Sequence, residues 1–291
     1  MQPTLVTDEM SYWRVLPHVR LRKVIKCYWV VEGKTVKQVV HAHQDDLLLP
    51  DGLSELVFNR SGVAFSRWSF GNSDPSQRMQ HSYIIGGRSC SACTRAPNPL
   101  RLAGVKMDSR FLRQLINTPL HLFQDEPLLL QDLGNTSLLE LEDVVGTATA
   151  ISSIVELFDT FFLRTMRNVE FHVEAADSLH DALSRKAGDV SIVQWARNHH
   201  VNVKTLERKF HDMTGMLPKH YARILRFVRA YQTLLSNGTM DKSFRLPEGF
   251  YDQSHFVKEF RFFAGVSPSV WRSGSMPTGT IVNDHLLRED G

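Results

Sequence analysis

Cysteine is scarce in this sequence: the chain of 291 residues contains three, Cys27, Cys90 and Cys93. So few thiols, and an odd number of them, exclude the disulfide framework that stabilises small secreted domains. The chain also lacks a run of about 18 apolar residues that could span a bilayer. Its first residues lack the basic start and apolar stretch of a secretory signal. We therefore expect a cytoplasmic protein without a membrane segment.

Common catalytic motifs are missing as well, including the glycine-rich phosphate loop, GxSxG and HExxH. Cys90 and Cys93 have CxxC spacing, which would suit a redox pair or half of a zinc site, but no second CxxC occurs. His41 and His43 would share one face of a strand and could ligate a metal. Ordinary core or loop residues are the favoured interpretation in both cases. We expect no enzyme, no metal and no cofactor.

Charge is unevenly distributed along the chain. Between Arg185 and Arg272 there are 15 Lys and Arg against 7 Asp and Glu, a net charge of +8, whereas the whole chain carries +3. The remainder therefore carries −5. A basic segment beside an acidic one indicates that only the basic segment meets a polyanion such as nucleic acid.

The residue pattern predicts two kinds of structure in succession. Short segments rich in β-branched and aromatic residues, beginning at Val24, Ser54, Ser82 and Leu100, are separated by turn signals and predict strands. Apolar residues at helical spacing predict one helix from Leu138 to Met166 and further helices as far as Arg272. We expect an α+β N-terminal domain over 1–170, an all-α domain over 177–273 and a flexible tail over 274–291.

Residues 191–215 predict a helix-turn-helix. Ser191 and Asn202 are suitable N-caps for two helices, and Ala196 is small enough for a close helix crossing. Gly215 can end the second helix. In that helix Leu206, Phe210 and Met213 form an apolar face, whereas Lys204, Glu207, Arg208 and His211 lie opposite. Such a helix can read base edges in a major groove, although an ordinary surface helix has the same pattern.

A second unit follows a long helix predicted from Leu217 to Leu235. At 1.5 Å per residue this helix is roughly 28 Å long, close to the roughly 34 Å of one duplex turn. Its three arginines, Arg223, Arg226 and Arg229, are expected to lie largely off the apolar stripe. Beyond it, Phe256, Phe260 and Phe263 repeat the apolar spacing of the first unit, and Gly265 corresponds to Gly215. Gln253, Ser254, Val257, Lys258 and Arg261 are expected to face elsewhere.

The segments TLERKF, TGMLPKHY, GFYDQSHFVKEFR and GVSPSVWR resemble the DNA-binding domain of the AraC/XylS family of bacterial transcription regulators. The resemblance covers about Asp177 to Arg272. It implies seven helices with two helix-turn-helix units joined by a long helix. It also implies that the following residues face DNA: Lys204, Glu207 and Arg208 in the first unit, and Gln253, Ser254, His255 and Lys258 in the second.

The chemistry of these side chains suits that role. Arg208 and Lys204 can bind guanine O6 and N7 or a phosphate, and Gln253 can bind adenine. For His255, a buried position and a position facing a phosphate fit the sequence equally well. Two departures from the family pattern stand out: His200 replaces a small turn residue, and Pro247, after Arg245, interrupts the helix before the second recognition helix. We therefore expect the first unit to supply most of the specificity.

The N-terminal part is similar to a poorly understood domain that precedes the DNA-binding module in some members of this family. The matching residues include Tyr28-Trp29, Leu49-Pro50-Asp51-Gly52, Ile85-Gly86-Gly87 and Gly104-Val105. The similarity implies a sensing or dimerising role without naming a ligand. Glu55 and Asn59 share one side of their strand, where a polar binding surface is possible and a solvated face is favoured.

Together these features predict a transcription regulator that reads promoter DNA in adjacent major grooves. Its expected partners are double-stranded DNA, RNA polymerase, an unidentified small-molecule or protein effector, and a second copy of the chain. The alternative is a co-regulator that acts through protein contacts, because Pro247 weakens the second unit.

Overall fold

The structure confirms an α+β N-terminal part followed by an all-helical C-terminal part. The described residues do not include the predicted tail, nor do they include Arg245, Pro247, His41 or His43. The computed structural model describes residues 1–6, 10–33, 46–69, 77–95, 100–167, 174–237, 246 and 249–272.

The strands form two antiparallel sheets that pack against each other. One has seven strands in the order β1-β2-β3-β10-β5-β8-β11, and the other has four in the order β4-β9-β6-β7. The strand segments predicted from sequence correspond to β3, β5, β8 and β10. The strands are β1 Leu5–Val6, β2 Met10–Val15, β3 Ile25–Gly33, β4 Asp46–Leu48, β5 Ser54–Asn59, β6 Phe65–Ser69, β7 Gln77–Met79, β8 Tyr83–Ile85, β9 Ala92–Arg95, β10 Arg101–Met107 and β11 Leu128–Leu129.

Alternation along the strands divides the seven-stranded sheet into two buried faces. Tyr28, Leu56 and Val105 belong to a core shared with the helices of the N-terminal part. Their neighbours Trp29 and Val57 point the other way, into a core shared with the four-stranded sheet. The sheet is therefore covered on both sides, which explains why its strands are more apolar than simple alternation requires.

The helices of the N-terminal part differ from the prediction in one place. The single helix expected from Leu138 to Met166 is wrong, because two helices separated by Ala148–Ala150 occupy this segment. Gly146 and Thr147 are weak helix formers, and the Thr147 hydroxyl donates back to the Val144 carbonyl, 3.2 Å away. The α-helices are α1 Ser109–Ile116, α2 Thr136–Thr147 and α3 Ile151–Met166, and short 3-10 helices cover Val19–Leu21, Leu120–Phe123 and Leu130–Leu133.

The C-terminal part packs its helices around one apolar core, in which Phe210, Tyr221, Phe227 and Phe260 are buried. Within the described part of the chain, no helix is both long enough and apolar enough to cross a membrane. The helices are α4 Ala175–Arg185, α5 Ile192–Asn198, α6 Val203–Thr214, α7 Pro218–Asn237, α8 Gln253–Ala264 and α9 Pro268–Arg272.

The C-terminal core continues into the N-terminal part. Leu47, Leu49 and Cys93, next to or within β4 and β9, are buried in the same apolar cluster as α6, α7 and α8. The Ser91 hydroxyl also donates to the Phe263 carbonyl at the end of α8. The two parts therefore share a packed interface and do not meet only through the connecting chain.

Candidate nucleic-acid interface

The first helix-turn-helix unit, α5 and α6, is held by local hydrogen bonds at the positions that the sequence predicts. Ser191 accepts from the Gln194 N–H at 3.3 Å and Asn202 accepts from the Lys204 N–H at 2.9 Å, so both act as N-caps. Ala196 is 1% exposed at the helix crossing. His200 adopts a left-handed conformation with φ of 52°, which makes the turn that the family usually assigns to a smaller residue.

α6 separates apolar and polar residues as predicted. Leu206, Phe210 and Met213 are buried in the C-terminal core. Lys204 and Arg208 are exposed, and Glu207 is half-buried. These three residues are spaced i, i+3 and i+4 and so share one face of the helix. The first half of α6 thus presents two cations and a carboxylate.

The last turn of α6 differs from the prediction, because it contacts the N-terminal part. The His211 ring stacks on His121 with centroids 5.0 Å apart, and His121 Nδ1 lies 2.9 Å from Asp212 Oδ1. Burial and the neighbouring charge of His121 lower the pKa of His211. His211 was expected on an outward face, but the 3-10 helix that carries His121 covers it.

Arg208 lies at the border between the two parts. It lines a cleft of about 360 Å³ together with Arg110 and Arg113 of α1. Arg110 is neutralised by Asp108 and Asp181, at 2.7 and 2.9 Å. Arg208 therefore combines exposure to solvent with close proximity to the N-terminal part.

The second candidate recognition helix, α8, repeats the design of α6. Asp252 caps it by accepting from the His255 N–H at 2.7 Å, and Gly265 ends it with φ of 77°. Gln253, Ser254 and Lys258 are exposed.

Two side chains of α8 are more buried than their outward spacing indicated. Val257 was expected to face away from the core, but it packs partly against it. His255 is half-buried: its Nδ1 accepts from the Tyr251 N–H at 3.3 Å, and its ring packs on Phe250. His255 therefore supports the turn before α8 in this structure.

α7 connects the two units and its arginines have structural partners. Arg223 forms a two-pronged ion pair with Glu259 of α8, with both N–O distances at 2.9 Å, and its guanidinium lies 4.7 Å from the centre of the Phe262 ring. Arg226 donates to the Gly188 carbonyl at 2.9 Å. Sequence spacing placed these side chains off the apolar stripe but did not reveal that they tie α7 to α8 and to the end of α4.

The family-like motifs of the N-terminal part lie at this same junction. Asp51 accepts from the Leu53 N–H at 3.0 Å, which makes the predicted turn, and Gly52 lies against Tyr221 of α7. Gly87 has φ of 142°, and a Cβ there would lie 2.6 Å from the methyl group of Met216. These motifs therefore shape the surface that receives the C-terminal part.

The favoured prediction that Glu55 and Asn59 lie on a solvated face of β5 is wrong for Glu55. It is 4% exposed, pairs with Arg88 and accepts from Trp29 Nε1 at 2.8 Å. Asn59 donates to the Val63 carbonyl at 2.8 Å. The four-stranded sheet and its neighbouring loops cover this face, which the sequence of β5 alone could not show.

The candidate redox and metal residues form no such site in the described residues. Cys93 is buried in the apolar core and Cys90 is half-buried, and among the described residues neither forms a disulfide. Among the described residues no cluster of three His, Cys, Asp or Glu side chains could hold a metal ion.

Comparisons with known proteins bear on both parts. A helix-turn-helix domain family matches residues 195–274. This match agrees with the AraC-type resemblance of the C-terminal region. A domain of unknown function (DUF6597) matches residues 13–128, which agrees with the N-terminal resemblance.

Two curated relatives are named as HTH-type transcriptional activators RhaR, from Pectobacterium carotovorum and Pectobacterium atrosepticum. Each is 32% identical over 78 residues, which is 27% of this chain and 28% of the relative. The chain therefore matches about a quarter of their length. A crystal structure of ToxT from Vibrio cholerae aligns with 81% of this chain and 96% of its own, at 15% identity and a TM-score of 0.43.

Proposed function

We propose that this chain is a sequence-specific DNA-binding transcription regulator in which α6 and α8 read successive major grooves. The observation that carries the proposal is the repetition of one design in α6 and α8. Each helix has 12 residues, an Asn or Asp N-cap, buried apolar residues at positions i, i+4 and i+7, and a closing glycine. Two such helices with exposed polar side chains, inside an AraC-type domain, suit paired major-groove reading.

The length of α7 supports the proposed spacing between the two recognition helices, α6 and α8. Its 20 residues extend about 30 Å, close to the roughly 34 Å between equivalent grooves of a duplex. On this proposal Lys204, Glu207 and Arg208 contact one groove, and Gln253, Ser254 and Lys258 contact the next. His255 would act through the loop before α8 or on a phosphate.

The wider proposal concerns the remaining partners. Residues 1–170 would form a sensory or dimerising domain, and 177–273 the DNA-binding domain. Activation through RNA polymerase in a bacterial cytoplasm fits the curated relatives, both of which are named as transcriptional activators.

Selection of bound sequences from a random DNA library, followed by footprinting, tests the proposal. We expect protection of two grooves one turn apart and an affinity that falls steeply with salt, because phosphate contacts release counterions. Failure to select any sequence, with no salt-sensitive binding, would contradict the proposal and favour a co-regulator that acts through protein contacts.

Replacing Arg208 by alanine tests the first recognition helix. We expect a loss of about 1–3 kcal/mol on the selected site, because an exposed guanidinium that reads guanine or phosphate is removed. Arg20→Ala is the matched control, since it removes an equal exposed charge from the N-terminal part. Equal affinities of Arg208→Ala and the unaltered chain would exclude Arg208 from the interface.

A further inference from the structure

The space between the two sheets of the N-terminal part contains buried charge. Glu55 and Lys106 project from neighbouring positions of β5 and β10, and Arg67 projects from β6 on the same face as Phe65. Arg88 follows β8. Each of these four residues is at most 4% exposed. The region around them is otherwise filled by aromatic and aliphatic side chains.

Two of the three cations there are neutralised by internal carboxylates. Arg88 pairs with Glu55 and Lys106 pairs with Asp51. Although burial alone would raise the pKa of Glu55, the charges of Arg88 and Lys106 lower it. Both carboxylates are therefore committed to these two cations.

Arg67 is the cation left over. Its Nη1 donates to the Asp125 backbone carbonyl at 3.0 Å, but it forms no ion pair with a described residue. The Nε atoms of Arg67 and Arg88 are both buried and find no hydrogen-bond acceptor within the described part of the chain. Burial and the charge of Arg88 lower the pKa of Arg67 and outweigh the opposing effects of Tyr83, Asp125 and Glu126, so its surroundings as a whole disfavour the positive charge.

A buried guanidinium without an ion-pair contact is costly, and so is a buried donor without an acceptor. An oxyanion reduces both costs, because its oxygens accept from N–H groups and its charge pairs directly with the guanidinium. We propose that Arg67 and Arg88 bind the carboxylate or phosphate group of a small anionic effector between the two sheets. This inference rests on the proposed function only for its regulatory consequence.

Hydrogen bonds connect this site to the DNA-binding region. Arg67 holds the Asp125 carbonyl, and the Asp125 carboxylate accepts from the Ser89 N–H at 2.7 Å and from its hydroxyl. The Ser89 carbonyl in turn lies 2.7 Å from His220 Nε2 on α7. Asp125 also closely follows the 3-10 helix whose His121 contacts α6. An anion that competes for the Arg67 donors would loosen Asp125 and thereby change how the N-terminal part holds α6 and α7.

Thermal unfolding of the full chain with succinate or inorganic phosphate, against chloride at equal ionic strength, tests the binding step. We expect at least one of the two to raise the unfolding temperature in a saturable way, by about 5–10 °C when the anion exceeds its Kd about a hundredfold. Arg67→Met should lack this response, and without anion it should unfold at a temperature no lower than the unaltered chain.

Arg60→Met is the matched control. Arg60 is also buried, but each of its three guanidinium nitrogens has an acceptor: Glu32 or the carbonyl of Val145 or Ala148. Its loss should lower the unfolding temperature and leave the anion response intact. The proposal is overturned if neither anion gives a saturable rise in the unaltered chain, or if Arg67→Met responds as strongly as the unaltered chain.

Binding to a selected DNA site, measured with and without the anion that stabilises the chain, tests the regulatory step separately. We expect the affinity to change severalfold in the unaltered chain and to stay constant in Arg67→Met. An unchanged affinity in both would overturn the connection to α6 and α7. Because the thermal experiment contains no DNA, a chain that binds the anion but no DNA would refute the proposed function and leave the anion site standing.

Discussion

At the scale of single residues, several arginines that the sequence presents as equivalent basic side chains have different roles. Arg208 is exposed on α6, Arg223 is tied to α8, and Arg67 is buried between sheets. The net charge of a segment counts all three alike. Only the surrounding groups decide whether such a charge faces solvent, holds two helices together or is buried between sheets.

Arg223 gives a prediction at this scale. Arg223→Lys keeps the charge but loses the planar fork that meets both oxygens of Glu259 and stacks on Phe262. We expect the free energy of unfolding to fall by about 1 kcal/mol in urea denaturation. Arg197→Lys, at an exposed position of α5, should change it by much less. Equal effects of the two substitutions would show that the pairing with Glu259 contributes nothing.

At the scale of elements, both ends of α6, the closing glycine of α8 and the apolar faces of both helices could be predicted from sequence because their determinants are local. An N-cap side chain bonds a backbone N–H two or three residues away, and a closing glycine acts within one turn. The break between α2 and α3 was missed because the apolar spacing continues across it. Val144 belongs to this apolar spacing and is nevertheless 45% exposed.

The contact between α6 and the 3-10 helix over Leu120–Phe123 should depend on pH. Because the pKa of His211 is lowered in the folded chain, protonation favours separation from His121. The contact should hold above the ordinary histidine pKa of about 6.5 and weaken as the pH falls below it towards the lowered value, with Asp212 offsetting part of the repulsion.

Hydrogen exchange of residues 120–125 and 211–215 at pH 8 and pH 5.5, corrected for intrinsic rates, measures this effect. Protection should fall at the lower pH in the unaltered chain and change much less in His211→Gln. If His211→Gln keeps the full pH dependence, another group is responsible.

At the scale of the whole molecule, the two parts are joined by a shared core. Leu49 is 1% exposed and packs within the cluster that contains α6, α7 and α8. Truncation to alanine should cost about 2–5 kcal/mol. It should also lower the hydrogen-exchange protection of α7, although Leu49 lies more than 160 residues earlier in the chain.

Ile84→Ala is the control, because Ile84 is equally buried in the core between the seven-stranded sheet and the N-terminal helices. It should reduce protection mainly in the sheet. If α7 keeps its protection in Leu49→Ala, the two parts unfold independently and the shared core does not couple them.

The sequence by itself determined the apolar faces of α6 and α8, the caps of the first helix-turn-helix unit and the basic character of the segment that contains both units. Those features depend on neighbours a few residues apart, so spacing and residue type suffice. Tertiary structure alone decided that Glu55 is buried, that Arg67 forms no ion pair with another described residue and that His211 stacks on His121. Each of these outcomes depends on which distant segments pack together, because a buried charge is defined by its surroundings and not by its own position in the chain.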